Sequence, residues 1–302
     1  MATLNILYED PHILVCVKPH GIATQSKSIR YPDMVSLIKN HLAKSSGSRN
    51  PGSAEPYLAV IHRLDQPVAG ILVFAKTPAA AKDLNKQLQN QGFGKYYRAL
   101  IANTPSTKEG TLENYMVKDA RTNTSRICSA KENGSKIARL HYDTVPVTDW
   151  LFTAPAAFHG TELEIHLDTG RHHQIRVQLA SVGCPIVGDT KYNQELSDTT
   201  GWQTIRLCAY KLDFKHPITH KTMHFQLAND PVYFLPIKNN CHKTFLNKLL
   251  TACSDTQHSK KEQEIPAPLF RRYIYHLCFC CILCQCFFIF LKNEILNALS
   301  CS

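Results

Sequence analysis

A carboxylate and a guanidinium carry the most chemistry in this sequence. The tetrad His62-Arg63-Leu64-Asp65 ends in an acid that could act as a nucleophile, and Gly170-Arg171-His172-His173-Gln174-Ile175-Arg176 supplies cations and imidazoles later in the chain. A carboxylate attacks only while ionised; burial opposes ionisation, and a neighbouring arginine favours it. Arg176 can be that neighbour. Four-residue spacing would put His172 and Arg176 on one helix face, beside an apolar stripe of Ile175, Leu179 and Val182. Taken alone, Asp65 suits a turn or cap better than a catalytic role, and the His172/Arg176 pair suits a solvated helix face as well. Around them Arg63, Lys95 and Arg171 offer charge to phosphates, Tyr96 and Tyr97 offer rings to a base, and Gly70 lets backbone approach a substrate. A Lys-Tyr-Tyr-Arg run is also an ordinary amphipathic strand.

Those groups need elements to hold them. Ile13 to Val17 is an apolar run closed by Lys18-Pro19-His20-Gly21, which predicts a buried strand and a turn. Asp33 caps a helix with Met34, Leu37, Ile38, His41 and Leu42 on one stripe. Ser45 to Pro56 is a loop. Strands are expected over Leu58–Leu64 and Gly70–Lys76, flanking the tetrad, with a helix from the cap Thr77 and Pro78 to Gln89. Further strands are expected over Lys95–Ala102, Glu162–Leu167 and Ile205–Phe214, with a helix over Arg171–Val182 ended by Gly183. Many strands with a few helices predict an α+β fold on a mixed, mainly antiparallel sheet with flanking helices.

The net charge of +10 in 302 residues favours a polyanionic partner, nucleic acid or an anionic membrane surface. No signal or transit peptide is apparent at the N-terminus. Only Cys16, Cys128, Cys184 and Cys208 of the 12 cysteines precede residue 240, without paired spacing, so a reduced cytoplasmic protein is expected. The division expected is a catalytic domain over 1–240, a polar linker over 241–272 and a Cys-rich hydrophobic tail over 273–302. Tyr273 to Leu291 is long enough to span a bilayer, and Arg271 and Arg272 would keep the main domain on the cytoplasmic side. The tail cysteines lack two Cys-x-x-Cys pairs, so no metal is expected there.

Five blocks, taken in order, resemble the RluA-type pseudouridine synthases: Ile6–Gly21, His62–Lys76, Lys95–Ala99, Gly170–Tyr192 and Arg206–Pro217. The resemblance implies isomerisation of selected uridines to pseudouridine in structured RNA, ribosomal or transfer, without metal or organic cofactor. It implies that Asp65 acts on the ribose, that Tyr97 stacks on the flipped base and assists proton transfer at C5, and that Arg176 pairs with Asp65. Substrate contacts are expected from His62, Arg63, Leu64, Gly70, Lys95, Arg171, His173 and Gln174. The sequence departs from the family pattern at Val68-Ala69, where Thr-Ser is usual, at Gln178 for a frequent His, and at Asn193 for Gly. Two rival readings are a non-catalytic RNA-binding protein or RNA chaperone on the same fold, and a membrane-tethered protein acting through its tail.

Overall fold

The computed structural model describes residues 4–26, 31–45, 55–90, 92–146, 160–193, 195 and 204–227. The linker and the apolar tail lie outside the described residues, as does most of the loop expected over Ser45–Pro56. Among the described residues, no helix is long and apolar enough to cross a membrane.

One sheet organises the fold. Its strands are β1 (Asn5–Glu9), β2 (Ile13–Lys18), β3 (Ala59–Val60), β4 (Ala69–Ala75), β5 (Gly94–Ile101), β6 (Glu109–Asp119), β7 (Thr124–Cys128), β8 (Lys136–Val145), β9 (Thr161–Leu167), β10 (Leu207–Lys215) and β11 (Thr222–Gln226). They follow the order β1-β2-β4-β10-β5-β9-β8-β6-β7, with β3 beside β4 and β11 beside β10. Among the described strands, only β4 and β10 run parallel; the other pairs are antiparallel. The sheet is thus mixed and mainly antiparallel, as expected.

Its centre is covered on both faces, which is why β2 and β4 read as unbroken apolar runs. Leu14, Cys16, Leu72 and Phe74 point into one core, while Ile13, Val15, Val17, Ile71 and Val73 point into the other. Helix α1 (Met34–Ser45) and helix α3 (Gln174–Ser181) serve the first core through Met34, Ile38, Leu42, Ile175 and Leu179. Helix α2 (Pro78–Gln89) serves the second through Ala80, Ala81 and Leu84. Burying a large apolar side chain of this kind contributes about 1.5–3 kcal/mol over its exposed state. The caps are those expected: Asp33 Oδ1 accepts from Ser36 N–H at 2.7 Å, and Thr77 Oγ1 from Ala80 N–H at 3.2 Å.

Two expected elements are shorter than the sequence pattern suggests. The strand over Leu58–Leu64 contracts to Ala59–Val60, because the Thr24 hydroxyl donates to Leu64 O at 3.0 Å and accepts from Leu64 N–H at 3.1 Å. A side chain has taken the groups a ladder would use. The helix over Arg171–Val182 begins only at Gln174, since His173 adopts a left-handed conformation (φ 53°) that no helix interior accepts. His172 therefore shares no helix face with Arg176. Val182, expected inward, is 49% exposed just past the helix end.

Candidate active site

Asp65 lies in the turn between β3 and β4, where its carbonyl accepts from Val68 N–H at 3.0 Å. The segment Lys18–Thr24 staples both flanks of that turn. On one side stands the Thr24–Leu64 pair. On the other, Gly21 N–H donates to Gln66 O at 3.0 Å, and Gln66 Nε2 returns a bond to Gly21 O at 3.0 Å. Beneath them the fully buried Lys18 donates from Nζ to Pro19 O, Ile22 O and Gln66 O at 3.1, 2.7 and 3.0 Å. Burial pulls its ammonium down to about 7, with the charge of Asp65 acting the other way.

The first turn of α3 brings Arg176 to this turn. Its Nε and Nη2 grip the two oxygens of Asp189 at 2.7 Å each, and its Nη1 donates to Asp65 Oδ2 at 3.2 Å. Asp189 is fully buried, Arg176 is 5% exposed and Asp65 26%, so the guanidinium bridges a closed carboxylate and an open one. The bidentate grip on Asp189 fixes the plane of the fork. The Tyr192 ring packs under it, 5.1 Å from the guanidinium carbon. Burial works against the charge on Arg176, and the hydrogen bonds and charges of Asp189 and Asp65 outweigh it, raising its pKa.

Asp65, Tyr97 and Arg176 meet on the wall of a cavity of about 1200 Å³. His62, Arg63, Leu64, Lys95, Arg171 and His173 share that wall; so do Lys118, Asn123 and Lys191, which sequence reasoning did not single out. Arg63 is exposed, whereas Lys95 is buried, and burial lowers its pKa. Tyr97 is buried; burial, then the charge of Asp65, raise its phenol, which stays neutral at physiological pH. His62 turns its Nε2 to Val73 N–H at 3.3 Å, which anchors it to β4.

Three residues stand apart from this wall. Gly70 makes its close approach to Ala209 of β10: at φ 140° any Cβ would collide with the Ala209 carbonyl oxygen. The buried Gln174 is an internal brace; its Oε1 accepts from Thr169 Oγ1 at 2.7 Å and Arg171 N–H at 2.9 Å, and its Nε2 donates to Arg139 O at 3.0 Å. Tyr96 takes the opposite face of β5 from Tyr97, with its ring 4.8 Å from that of His166 and beneath Lys211 Nζ at 4.4 Å. The pair expected to form one stacking surface is split by the strand period.

Sequence reasoning passed over Lys18, Thr24, Asp189 and Tyr192. Lys18 looked like part of a plain turn, and an Asp and a Tyr in a loop carry no spacing signal that separates them from turn residues. Among the described residues, no group of three or more His, Cys, Asp or Glu is placed to hold a metal ion.

Comparison with known proteins gives the family. The family model for RNA pseudouridylate synthase matches residues 12–181. The "Ribosomal large subunit pseudouridine synthase D" of Nitrosomonas europaea is 34% identical over 224 residues, 71% of this chain and 58% of that protein. The "Uncharacterized RNA pseudouridine synthase YhcT" of Bacillus subtilis is 31% identical over 243 residues, 80% of this chain and 72% of its own length. This chain thus spans under two thirds of the first relative. Among solved structures, "Human RNA Pseudouridylate Synthase Domain Containing 4" has the same fold, with a TM-score of 0.57 at 19% identity over 76% of this chain and 90% of that one. With more than half its length matched by the family model, and relatives above 30% identity, the chain belongs to the RNA pseudouridylate synthase family.

Proposed function

We propose that this chain isomerises selected uridines to pseudouridine in structured RNA, with ribosomal RNA as the first substrate to test and transfer RNA as the second. The observation that carries it is the bridge Asp65–Arg176–Asp189 on the wall of a cation-lined cavity, in a chain of this family. Asp65 acts on the ribose, by attack at C1′ or by removing a proton from C2′, and the N1–C1′ bond breaks. The base turns, and C5 bonds to C1′ as the Asp65–C1′ bond breaks or the proton returns to C2′; the C5 proton then leaves and N1 takes up a proton. The sum is an isomerisation, so no redox partner or co-substrate is needed.

Arg176 holds the Asp65 carboxylate by its Oδ2 edge. Tyr97, a neutral phenol on the cavity wall, offers a flat face to the base and a hydroxyl to the proton transfer at C5. Arg63, Lys95, Lys118, Arg171 and Lys191 supply cationic contacts for the phosphates that flank a flipped nucleotide. His62 and Leu64 shape the wall; Gln174 and Gly70 serve it from behind, as brace and as strand contact. The catalytic unit is the segment 1–240, with 241–272 as a linker to the apolar tail. The name of the Nitrosomonas protein favours ribosomal RNA as substrate.

The test is pseudouridine mapping in a deletion strain complemented with the wild-type chain or with Asp65→Ala, alongside tritium release from [5-³H]uridine RNA by the purified full chain. Loss of one or more sites, restored only by the wild type, is the expected result. Restoration by Asp65→Ala would remove Asp65 from the chemistry. Sites unchanged by deletion, together with no tritium release, would favour RNA binding without catalysis.

A further inference from the structure

Among the described residues, the two protein groups that reach the Asp65 carboxylate converge on the same oxygen. Arg176 Nη1 lies 3.2 Å from Oδ2, and His173 Nε2 lies 3.5 Å from that atom. Among the described residues, no hydrogen bond to Oδ1 is made. The asymmetry raises the question of what turns the His173 ring so that Nε2 faces the acid.

The answer is built behind the ring. His173 Nδ1 is 2.7 Å from the Tyr192 hydroxyl, which already accepts Ser125 N–H at 2.8 Å. With an acceptor position filled by that amide, the phenol's own proton is free for Nδ1. The His173 ring is sandwiched as well: His172 stacks on it with centroids 3.7 Å apart, and Tyr192 meets it edge-on at 5.5 Å. His172 is held in turn by Ser125 Oγ, 2.8 Å from its Nδ1. The left-handed backbone at His173 gives a conformation that surrounding contacts must sustain. Burial, with Arg176 and other cations adding to it and Asp65 opposing, holds the imidazole down to about 4, so it is neutral and one nitrogen carries the proton.

We propose that Tyr192 is a positioning residue: by donating its hydroxyl proton to Nδ1 it fixes His173 as the Nε2–H tautomer, whose proton joins Arg176 at Oδ2 and leaves Oδ1 as the reacting oxygen of Asp65. At 3.5 Å the His173 contact is long in the free enzyme, and the proposed role includes its shortening around bound substrate, as happens to hydrogen bonds at many active sites. The choice of oxygen rests on the isomerase reading above, while the tautomer does not.

The experiment has two readouts on the full-length chain. Long-range ¹H–¹⁵N NMR on histidine-labelled protein reports the tautomer directly: wild type shows Nε2–H at His173, and Tyr192→Phe loses that preference. Single-turnover kinetics on the mapped RNA substrate then show Tyr192→Phe lowering the rate by about tenfold or more with the RNA dissociation constant nearly unchanged. A merely structural tyrosine would weaken binding and chemistry together or shift only the melting temperature. Nδ1–H in wild type overturns the proposal even if Tyr192→Phe does not fold. A wild-type rate in Tyr192→Phe overturns it as well. If wild type modifies no RNA, the isomerase reading fails while the tautomer measurement still decides the role of Tyr192.

Discussion

Asp65 and Asp189 share Arg176, and their unequal burial predicts that two ways of breaking the bridge have opposite signatures. In Arg176→Ala, Asp189 is left buried without its two 2.7 Å donors, and among the described residues the Lys191 and Tyr192 amides at 3.0 and 3.3 Å are its remaining partners. Leaving one member of a buried pair costs about 3–5 kcal/mol. For a domain of this size about 2–4 °C of melting temperature follows each kcal/mol, so Arg176→Ala should melt roughly 6–20 °C below wild type. Asp65→Ala removes only one 3.2 Å bond to a carboxylate that is 26% exposed, worth about 0–1 kcal/mol. It should melt within a few degrees of wild type and yet lose pseudouridine formation. In the double variant Arg176→Ala/Asp189→Ala no buried charge is stranded, so part of the lost stability should return. Thermal melts by circular dichroism on the four proteins decide it. If Asp65→Ala falls as far as Arg176→Ala, or the double variant is less stable than Arg176→Ala, Asp189 is not the energetic anchor of the guanidinium.

Other consequences are as direct. Gly70→Ala forces a side chain into φ 140° and into the Ala209 carbonyl, so a loss of about 1–3 kcal/mol is expected in urea titrations, and an unchanged midpoint would show that the β4–β10 crossing yields easily. Lys18 titrates at about 7 when folded and near its ordinary 10.5 when unfolded, so between those values the unfolded chain binds the extra proton and stability rises with pH; the penalty is full below pH 7. Lys18→Met should therefore show a flatter stability profile from pH 7 to 10 than wild type, and parallel profiles would refute the burial of that charge. Because Lys118 and Lys191 line the cavity, Lys118→Ala/Lys191→Ala should weaken RNA binding and lower its salt slope by about 0.7 for each phosphate left without its cation; an unchanged slope would place the RNA elsewhere.

The legible parts of this fold were those where one residue type could do one job. Consecutive apolar residues marked β2 and β4 because both sheet faces are buried there. Asp33 and Thr77-Pro78 marked the starts of α1 and α2 because caps are local chemistry. The strands β6 and β7 gave no such signal, and in β8 the alternation of Ala138, Leu140 and Tyr142 with Arg139, His141 and Asp143 was overlooked. Along β6, Glu109, Thr111, Glu113 and Tyr115 alternate with Gly110, Leu112, Asn114 and Met116, an inner face too polar to read as a core stripe. That face is held partly by the Gln178 amide, within reach of Leu112 O, Asn114 Oδ1 and Ala138 O at 3.1, 2.9 and 3.2 Å. At the site, Asp65 and Arg176 were readable as acid and partner. Their supports were not, because Lys18, Thr24 and Tyr192 act through hydrogen bonds that span 19 residues or more or go to backbone carbonyls, which no local pattern encodes.

The departures from the family pattern bear on function only through where they sit. Ala69 is fully buried and pairs across to Cys208 in the parallel contact with β10, so a hydroxyl there would face packing and not the large cavity. Val68 is buried in the α1–α3 core and reaches only a recess of about 80 Å³ that it shares with Asp65 and Tyr97. Orientation of the Asp65 turn comes instead from Lys18, Gly21 and Thr24, whose bonds go to the neighbours Leu64 and Gln66 and not to residues 68 and 69. Asn193 stands where Gly is usual, yet its backbone is outside the left-handed region, so nothing at that position requires glycine. Gln178 spends its amide on β6 and β8, away from the acid. The departures at Ala69, Gln178 and Asn193 thus fall on packing away from the acid, Val68 lines the small recess beside it, and the groups that touch Asp65 are left as the family pattern has them.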